Sequence, residues 1–273
     1  MSRVDQARPR TVLICHHDAP LHLDGLARWL ASWSDLAGIV VIEEPGGLLR
    51  KRLRREWRRV GLRIVDVLAQ RVHYRLTSAA RDRAWIEERV AGLRERFPVM
   101  PRVPTVRVAS PNTSEAQRLI ADARPDIVLA LCKNLLAERV YSIPVHGTIV
   151  LHPGICPEYR NAHGCFWALA NDDLDRVGMT VLRIDRGIDT GPVLGWFRAS
   201  YDEVNESHIV IQHRMTLDNL DGIAELLRRV ATGKAKPIPV QGRASHEWGQ
   251  PWLTKLLYWK RQARRRRDAT HHA

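Results

Sequence analysis

The fold of this chain is indicated first by the stretch Thr11-Val12-Leu13-Ile14-Cys15, a continuous apolar run. Such a run predicts a parallel strand that is buried on both faces, because a half-exposed strand would alternate apolar and polar residues. An amphipathic helix is predicted next over 21–32, followed by a second apolar strand over 36–42. A strand, a helix and a strand in this order predict a doubly wound α/β sheet with mostly parallel strands.

Further strands are predicted along the chain, and polar residues follow them. They cover 105–108, 127–131, 148–151, 178–183 and 193–197, the last with a bulge at Gly195. Helices are predicted over 49–63, 79–97, 114–123 and 209–232, and a capping box from Ser114 to Gln117 opens the third. We expect a Rossmann-like domain over 1–200, with its site at the carboxyl ends of the strands, and a short helical extension with a basic tail over 201–273.

The positive charge of the chain is concentrated in two segments. The net charge is +13, and residues 50–63 and 255–267 each contribute seven positive charges, so the remainder is nearly neutral. This distribution argues against a general nucleic-acid-binding protein. For the predicted helix over 49–63, a solvated face or a contact with a membrane surface is favoured over a dock for an anionic substrate or RNA.

Cysteine usage and hydropathy indicate a cytoplasmic protein. Cys15, Cys132, Cys156 and Cys165 form no Cys-x-x-Cys pair, so we expect free thiols rather than disulfides or a zinc site. The first apolar run is too short for the core of a signal peptide. No apolar run approaches the ~20 residues of a membrane-spanning helix. We therefore expect no membrane span and no bound metal.

The most informative segment for function is His152-Pro153-Gly154-Ile155-Cys156-Pro157-Glu158-Tyr159-Arg160. It follows the predicted strand over 148–151, so the imidazole leaves the end of a strand into a loop braced by two prolines. Asp189 lies in the turn Ile188-Asp189-Thr190-Gly191, and its carboxylate is a suitable partner to orient an imidazole. A histidine and a carboxylate in this arrangement indicate acid–base chemistry.

These motifs resemble the formyltransferases that use 10-formyltetrahydrofolate, a family that includes glycinamide ribonucleotide, methionyl-tRNA and sugar-amine formyltransferases. The residues that match the family's loop in register are His152, Pro153, Pro157, Tyr159 and Arg160. Asp189 and Gly191 match the family's later Asp-x-Gly turn, and Gly178-Met179-Thr180 resembles its Gly-x-Thr strand. The resemblance implies a Rossmann-like fold and formyl transfer with 10-formyltetrahydrofolate as co-substrate, without a metal. The family's catalytic Asn falls on Val150.

The resemblance implies that His152 is the proton relay and that Asp189, rather than Asp185, orients and charge-stabilises it. Val150 points to the same face as His152 but donates no hydrogen bond, so the donor for the oxyanion is missing. Asn134, Asn161 or His163 could replace it. Backbone amides could also do so, or the site could bind its ligands without efficient transfer.

The resemblance also assigns binding residues. Lys133 and Leu135 match the loop that holds the pterin in the family, although Cys132 replaces its glycine. The remaining assignments are cofactor contacts at Gly187 and Gly191 and a substrate loop formed by Tyr159, Arg160, His16 and His17. Asn161 occupies a further glycine position, and asparagine tolerates a positive φ.

The favoured function is formyl transfer to an amine of a small-molecule acceptor, such as an amino sugar or a glycinamide-type metabolite. One alternative is a methionyl-tRNA formyltransferase that contacts tRNA through the two basic segments. Another is hydrolysis of 10-formyltetrahydrofolate, with water as the acceptor. The last is a folate- or ligand-binding relative that is catalytically weak because Val150 replaces the family's Asn.

Overall fold

The computed structural model of the protein describes residues 8–44, 57–58 and 61–271. The strands of the main sheet are β1 (Arg10–His16), β2 (Asp35–Ile42), β3 (Thr105–Val108), β4 (Ile127–Leu131), β5 (Thr148–His152), β7 (Met179–Arg183) and β8 (Val193–Phe197). A separate pair joins β6 (Arg160–Asn161) to β9 (Glu247–Trp248). The predicted strands are confirmed, and the short β6–β9 pair was not predicted.

The main sheet has the order β3-β2-β1-β4-β5-β7-β8. Its first five strands in this order are parallel, and β7 and β8 are antiparallel to their neighbours. The chain runs outward from β1 to β3 and then returns to β4 on the other side of β1. The switch point therefore lies between β1 and β4, where open α/β sheets form a crevice at the carboxyl ends of the strands.

The helices cover both faces of the sheet. They are α1 (Ala27–Trp33), α2 (Ile64–Thr77), α3 (Ala79–Arg96), α4 (Ser114–Ala123), α5 (Glu138–Tyr141), α6 (Gly164–Ala170), α7 (His208–Leu217), α8 (Leu220–Ala231) and α9 (Leu253–His271). A π-helical segment, Leu21–Leu26, runs directly into α1. The mostly parallel sheet between helices confirms the predicted α/β class.

The structure differs from the helix predictions in one element and one cap. The predicted helix over 49–63 lies mostly outside the described residues, and α2 was not predicted. The predicted helix over 209–232 is wrong as one element, because α7 ends at Leu217 and the Asn219 side chain donates to the carbonyls of Arg198 and Met215 before α8 begins. Thr113, rather than Ser114, caps α4 by accepting from the Ala116 amide.

The core continues into the C-terminal helix. Trp259 and Ala263 of α9 are fully buried within the same apolar cluster as the strands. Lys260 lies over the Trp259 ring at 4.1 Å and donates to backbone carbonyls that precede α7, including that of Glu203. None of the helices in the described part of the chain is long and apolar enough to cross a bilayer.

Candidate functional site

The two predicted motifs meet on neighbouring strands. His152 at the end of β5 pairs directly with Thr180 of β7. The Thr180 hydroxyl is buried, donates to the Gly154 carbonyl at 2.6 Å and accepts from the Cys156 amide at 2.9 Å. Thr180 therefore holds the loop that follows His152. This explains structurally why a threonine ends the Gly178-Met179-Thr180 motif.

His152 and Asp189 are brought together at this loop. The Nδ1 atom of His152 lies 3.4 Å from Oδ2 of Asp189, and the imidazole is only 3% exposed. Its Nε2 atom donates to the carbonyl oxygen of Tyr159 at 2.7 Å. Burial by itself would lower the pKa of His152, but the Asp189 carboxylate, Cys156 and the Tyr159 carbonyl together outweigh it and raise the pKa to about 9. At neutral pH the ring is therefore an imidazolium that donates through Nε2 and forms an ion pair with Asp189 through Nδ1.

The Asp189 turn is held against the same loop. Asp189 has a positive φ of 50°, and its Oδ2 atom accepts from the Asn161 amide at 2.8 Å. Arg160 donates to the Ile188 carbonyl at 2.8 Å. The positive φ of Asn161, 75°, agrees with its place at a glycine position of the motif. The carboxylate is thus fixed by backbone contacts from the loop that it faces.

Two glycines, Gly187 and Gly191, keep the Asp189 turn closed. A Cβ atom added to Gly191 would overlap the Arg183 carbonyl oxygen, and one added to Gly187 would overlap the Thr190 hydroxyl. Neither glycine presents a side chain, so any contact that they make with a ligand is through the backbone.

The last third of the chain braces the site, and this was not predicted. Trp248 of β9 stacks between Tyr159, at 5.7 Å between ring centroids, and Trp167, at 4.7 Å. Arg243 forms a bidentate pair with Glu158 at 2.7 and 2.8 Å. The segment 243–248 carries one Trp and two charged residues and follows no local pattern that would have marked this brace.

Residues predicted to bind ligands line the switch point after β1 and β4. The Nε2 atom of His16 accepts from the Lys133 amide at 3.2 Å, which joins the two strand ends. His17 follows β1 and is exposed, as are the side chains of Lys133 and Leu135. The structure therefore places His16, His17, Lys133 and Leu135 at one edge, beside the strand that carries His152.

Buried hydrogen-bond acceptors lie near this edge. Burial, helped by the Lys133 charge, lowers the pKa of His163 to about 4, and its other nitrogen donates to Gln250. The solvent-shielded Nδ1 atom of His163 is therefore an acceptor, and it has no hydrogen-bond partner in the structure. The Nδ1 atom of His22 and the Oδ1 atom of Asn134 are likewise shielded and without a partner. Unsatisfied buried acceptors of this kind suit a ligand that donates hydrogen bonds.

Val150 lies within the sheet among apolar residues, where it pairs with Ala130 of β4 and Leu182 of β7. The Asn161 side chain donates to the Trp248 carbonyl at 2.6 Å, so its amide is engaged in the brace. Within the described ranges, no group of three His, Cys, Asp or Glu side chains could hold a metal ion.

Comparisons with known proteins match this region. Residues 97–215 match a family model described as Formyl transferase. Mitochondrial 10-formyltetrahydrofolate dehydrogenase from Homo sapiens is 29% identical over 141 residues, which cover 50% of this chain and 15% of that protein. A methionyl-tRNA formyltransferase from Thermus thermophilus is 27% identical over 152 residues, which cover 55% of this chain and 48% of that protein.

The fold also matches a solved structure. Phosphoribosylglycinamide formyltransferase from Anaplasma phagocytophilum superposes with a TM-score of 0.53 at 13% identity, covering 90% of this chain and all of that one. The chain spans less than half the length of the two curated relatives given above. Both His152 and Asp189 lie inside the matched segment.

Proposed function

We propose that this chain, whose residues 97–215 belong to the formyl transferase family, transfers a formyl group from 10-formyltetrahydrofolate to an amine of a small-molecule acceptor. The observation that carries the proposal is the contact of His152 with Asp189, 3.4 Å apart at the end of β5. The two residues come from separate motifs, and the fold joins them beside the crevice of the sheet.

The residues at the switch point fit a folate. A pterin presents N–H donors and an apolar ring face, and this edge offers the unpartnered Oδ1 atom of Asn134 and the exposed Leu135 side chain. When bound, the co-substrate supplies a formyl group on an amine nitrogen. The acceptor amine attacks the formyl carbon, and the bond from that carbon to the co-substrate nitrogen breaks. A proton moves from the acceptor to the leaving nitrogen. Lys133 and Leu135 would hold it on one side and the Gly187–Gly191 turn on the other.

We assign His152 the role of a charged donor. A tetrahedral intermediate places negative charge on the formyl oxygen, and an imidazolium stabilises such charge through its N–H group. In the observed geometry this Nε2–H group is bonded to the Tyr159 carbonyl, so substrate must take the place of that carbonyl. Asp189 acts through His152 by keeping it protonated and oriented. The imidazolium can also give a proton to the leaving nitrogen and take one from the acceptor amine, which makes it a relay.

Asn134 is the best candidate to replace the missing family Asn. The side chain of Asn161 is engaged by Trp248, and His163 keeps a neutral ring that already donates to Gln250. Asn134 follows β4, the strand next to β5. Its side-chain nitrogen carries N–H donors and suits this role, so Asn134→Ala should reduce turnover by about 10²-fold or more.

The experiment is an acceptor screen. The full chain is incubated with 10-formyltetrahydrofolate and a panel of amines that includes amino sugars and glycinamide-type compounds, and products are detected by the mass gain of one formyl group. His152→Gln and Asp189→Asn should abolish the gain. Absence of binding of a stable folate analogue at millimolar concentration would overturn the proposal.

Two readouts identify the alternatives to formyl transfer, a hydrolase and a ligand-binding relative. Release of formate without an added amine would identify a hydrolase. An inert natural protein that gains activity through Val150→Asn would identify a ligand-binding relative, because Val150 shares a face with His152.

A second candidate is formylation of methionyl-tRNA. It is favoured by the methionyl-tRNA formyltransferase among the relatives and by Arg261, Arg264 and Arg265 on the exposed face of α9. A gel shift with tRNA should then weaken steeply with salt, because phosphate contacts release counterions. A flat salt response would favour the small-molecule acceptor.

A further inference from the structure

The outer face of α2 is apolar and exposed. Its side chains at Val65, Leu68, Val72 and Leu76 recur at helical spacing and are between 41% and 81% exposed. The opposite face of the helix buries Ile64, Val67 and Gln70. Soluble helices normally expose polar residues on the face away from the core, so this helix is apolar on both sides.

The exposed stripe lies beside α9. The amide of Thr254, at the start of α9, donates to Asp66 of α2 at 3.0 Å, and the guanidinium of Arg63 lies 4.3 Å from the Trp252 ring. We define the apolar face by the exposed residues of α2, the turn before it and α9. These are Leu62, Val65, Leu68, Val72, Leu76, Leu257 and Tyr258.

Positive charge surrounds the apolar face. Exposed arginines flank it on both helices, Arg75 on α2 and Arg261, Arg264 and Arg265 on α9. Asp66 is the single acid in Gly61–Thr77, and it is engaged by Thr254. The single acid of α9, Asp268, lies 3.6 Å from Arg267. Among the described residues these four arginines form no ion pair, so the face combines apolar side chains with a basic rim.

We propose that this face binds the surface of an anionic lipid bilayer. A helix that lies in the plane of a membrane buries its apolar side chains among the acyl chains while arginines meet the headgroups. A second copy of the chain would bring two basic rims together, and a nucleic acid would leave six aliphatic side chains without an apolar partner. The outward side of a helix is convex, which suits a bilayer surface better than the groove that a partner helix would need.

The test is co-sedimentation of the full chain with vesicles. We expect binding to vesicles of equal parts phosphatidylcholine and phosphatidylglycerol, and weak binding to phosphatidylcholine alone. The double variant Val72→Glu/Leu76→Glu should lose at least about tenfold in affinity, because it removes apolar burial and adds repulsion. Arg264→Ala and Arg265→Ala should each lose about fivefold, only on anionic vesicles.

Val145→Glu is the matched control, because Val145 is equally exposed but lies in the turn before β5. It should bind as the unchanged protein does. Unaltered thermal unfolding of each variant excludes misfolding, and Val72→Glu/Leu76→Glu and Val145→Glu should retain the activity of the unchanged protein.

Three results would overturn the proposal. The first is equal vesicle binding by Val72→Glu/Leu76→Glu. The second is a dimer in light scattering that the same variant converts to a monomer, which would assign the face to a second copy. The third is RNA binding that depends on the arginines while vesicles are not bound, which would assign the basic rim to nucleic acid.

Discussion

Trp248 stacks on Tyr159 with ring centroids 5.7 Å apart, and this contact fixes the loop whose backbone holds the His152 imidazole. The carbonyl of Tyr159 accepts from His152, and the Trp248 indole nitrogen donates to the Glu158 carbonyl at 2.9 Å. The position of His152 therefore depends on a strand pair that forms only when β9 returns to β6.

Trp248→Ala is expected to lower the free energy of unfolding by about 3 kcal/mol, because a partly buried indole loses two stacking partners. Urea denaturation measures the change. Tyr258→Ala, which removes an exposed aromatic ring of α9, should change the free energy by about 0.5 kcal/mol or less. Equal losses for the two variants would show that the stack does not brace the loop.

Gly154→Ala should impair both stability and activity. A Cβ atom at this position would lie 2.5 Å from the Tyr159 carbonyl oxygen and 2.8 Å from Nε2 of His152. The structure must shift to relieve this overlap, which should lower the free energy of unfolding by about 1–3 kcal/mol and displace the imidazole. Gly92→Ala is the control, since a Cβ atom there meets nothing within 4 Å in a helix interior, and it should stabilise the chain by about 0.5–1 kcal/mol.

Asp189→Asn should lower the pKa of His152 from about 9. Burial is the largest single influence on the ring and disfavours its charged form, and the variant removes the carboxylate, the largest influence that opposes burial. Titration of the imidazole proton signals by NMR measures the shift. Asp185→Asn is the comparison, because Asp185 accepts from the Gly187 amide and Thr190 rather than from His152. A His152 pKa that stays near 9 in Asp189→Asn would remove Asp189 from its assigned role.

The His152–Asp189 pair should also make stability fall as pH rises. The folded pKa of His152 is raised above the unfolded value of about 6.5, so the native state binds more protons between these values. The pair contributes fully to the free energy of unfolding below pH ~6.5. This contribution is lost as pH rises through about 9, with a slope of at most about 1.4 kcal/mol per pH unit. The difference in unfolding free energy between the natural protein and Asp189→Asn should shrink over this window.

Other histidines should destabilise the fold on the acid side. Burial lowers the pKa of His22 to about 3 and that of His163 and His213 to about 4. These rings become protonated in the unfolded chain but stay neutral in the native state. The free energy of unfolding therefore falls as the pH drops from ~6.5 toward 4. His163→Gln should reduce the slope of unfolding free energy in this range, and an unchanged slope would contradict the buried neutral state.

The sheet could be predicted because each central strand is a continuous apolar run, as Val12–Ile14 and Ile127–Leu131 illustrate. The helix α2 could not, because apolar residues on its exposed side hide the helical period. The break between α7 and α8 depends on Asn219, whose side chain competes for backbone carbonyls. Such a competition is decided by tertiary contacts and leaves no periodic signal.

The pairing of His152 with Asp189 could be predicted from the motif spacing, but the surroundings of the imidazole could not. Its second partner is the backbone carbonyl of Tyr159, and any residue type supplies a carbonyl. The bracing residues Arg243 and Trp248 are distant in sequence from the loop and follow no local pattern. Long-range contacts of this kind appear only when the chain is folded.

The return of β9 to β6 has a consequence for synthesis. A nascent chain that has passed β8 already contains His152, Thr180 and Asp189, yet it lacks Trp248 and the buried Trp259 of α9. The ribosome therefore delivers the candidate site residues before the segments that brace them. The site as it stands in the folded protein is complete only after α9 has been synthesised.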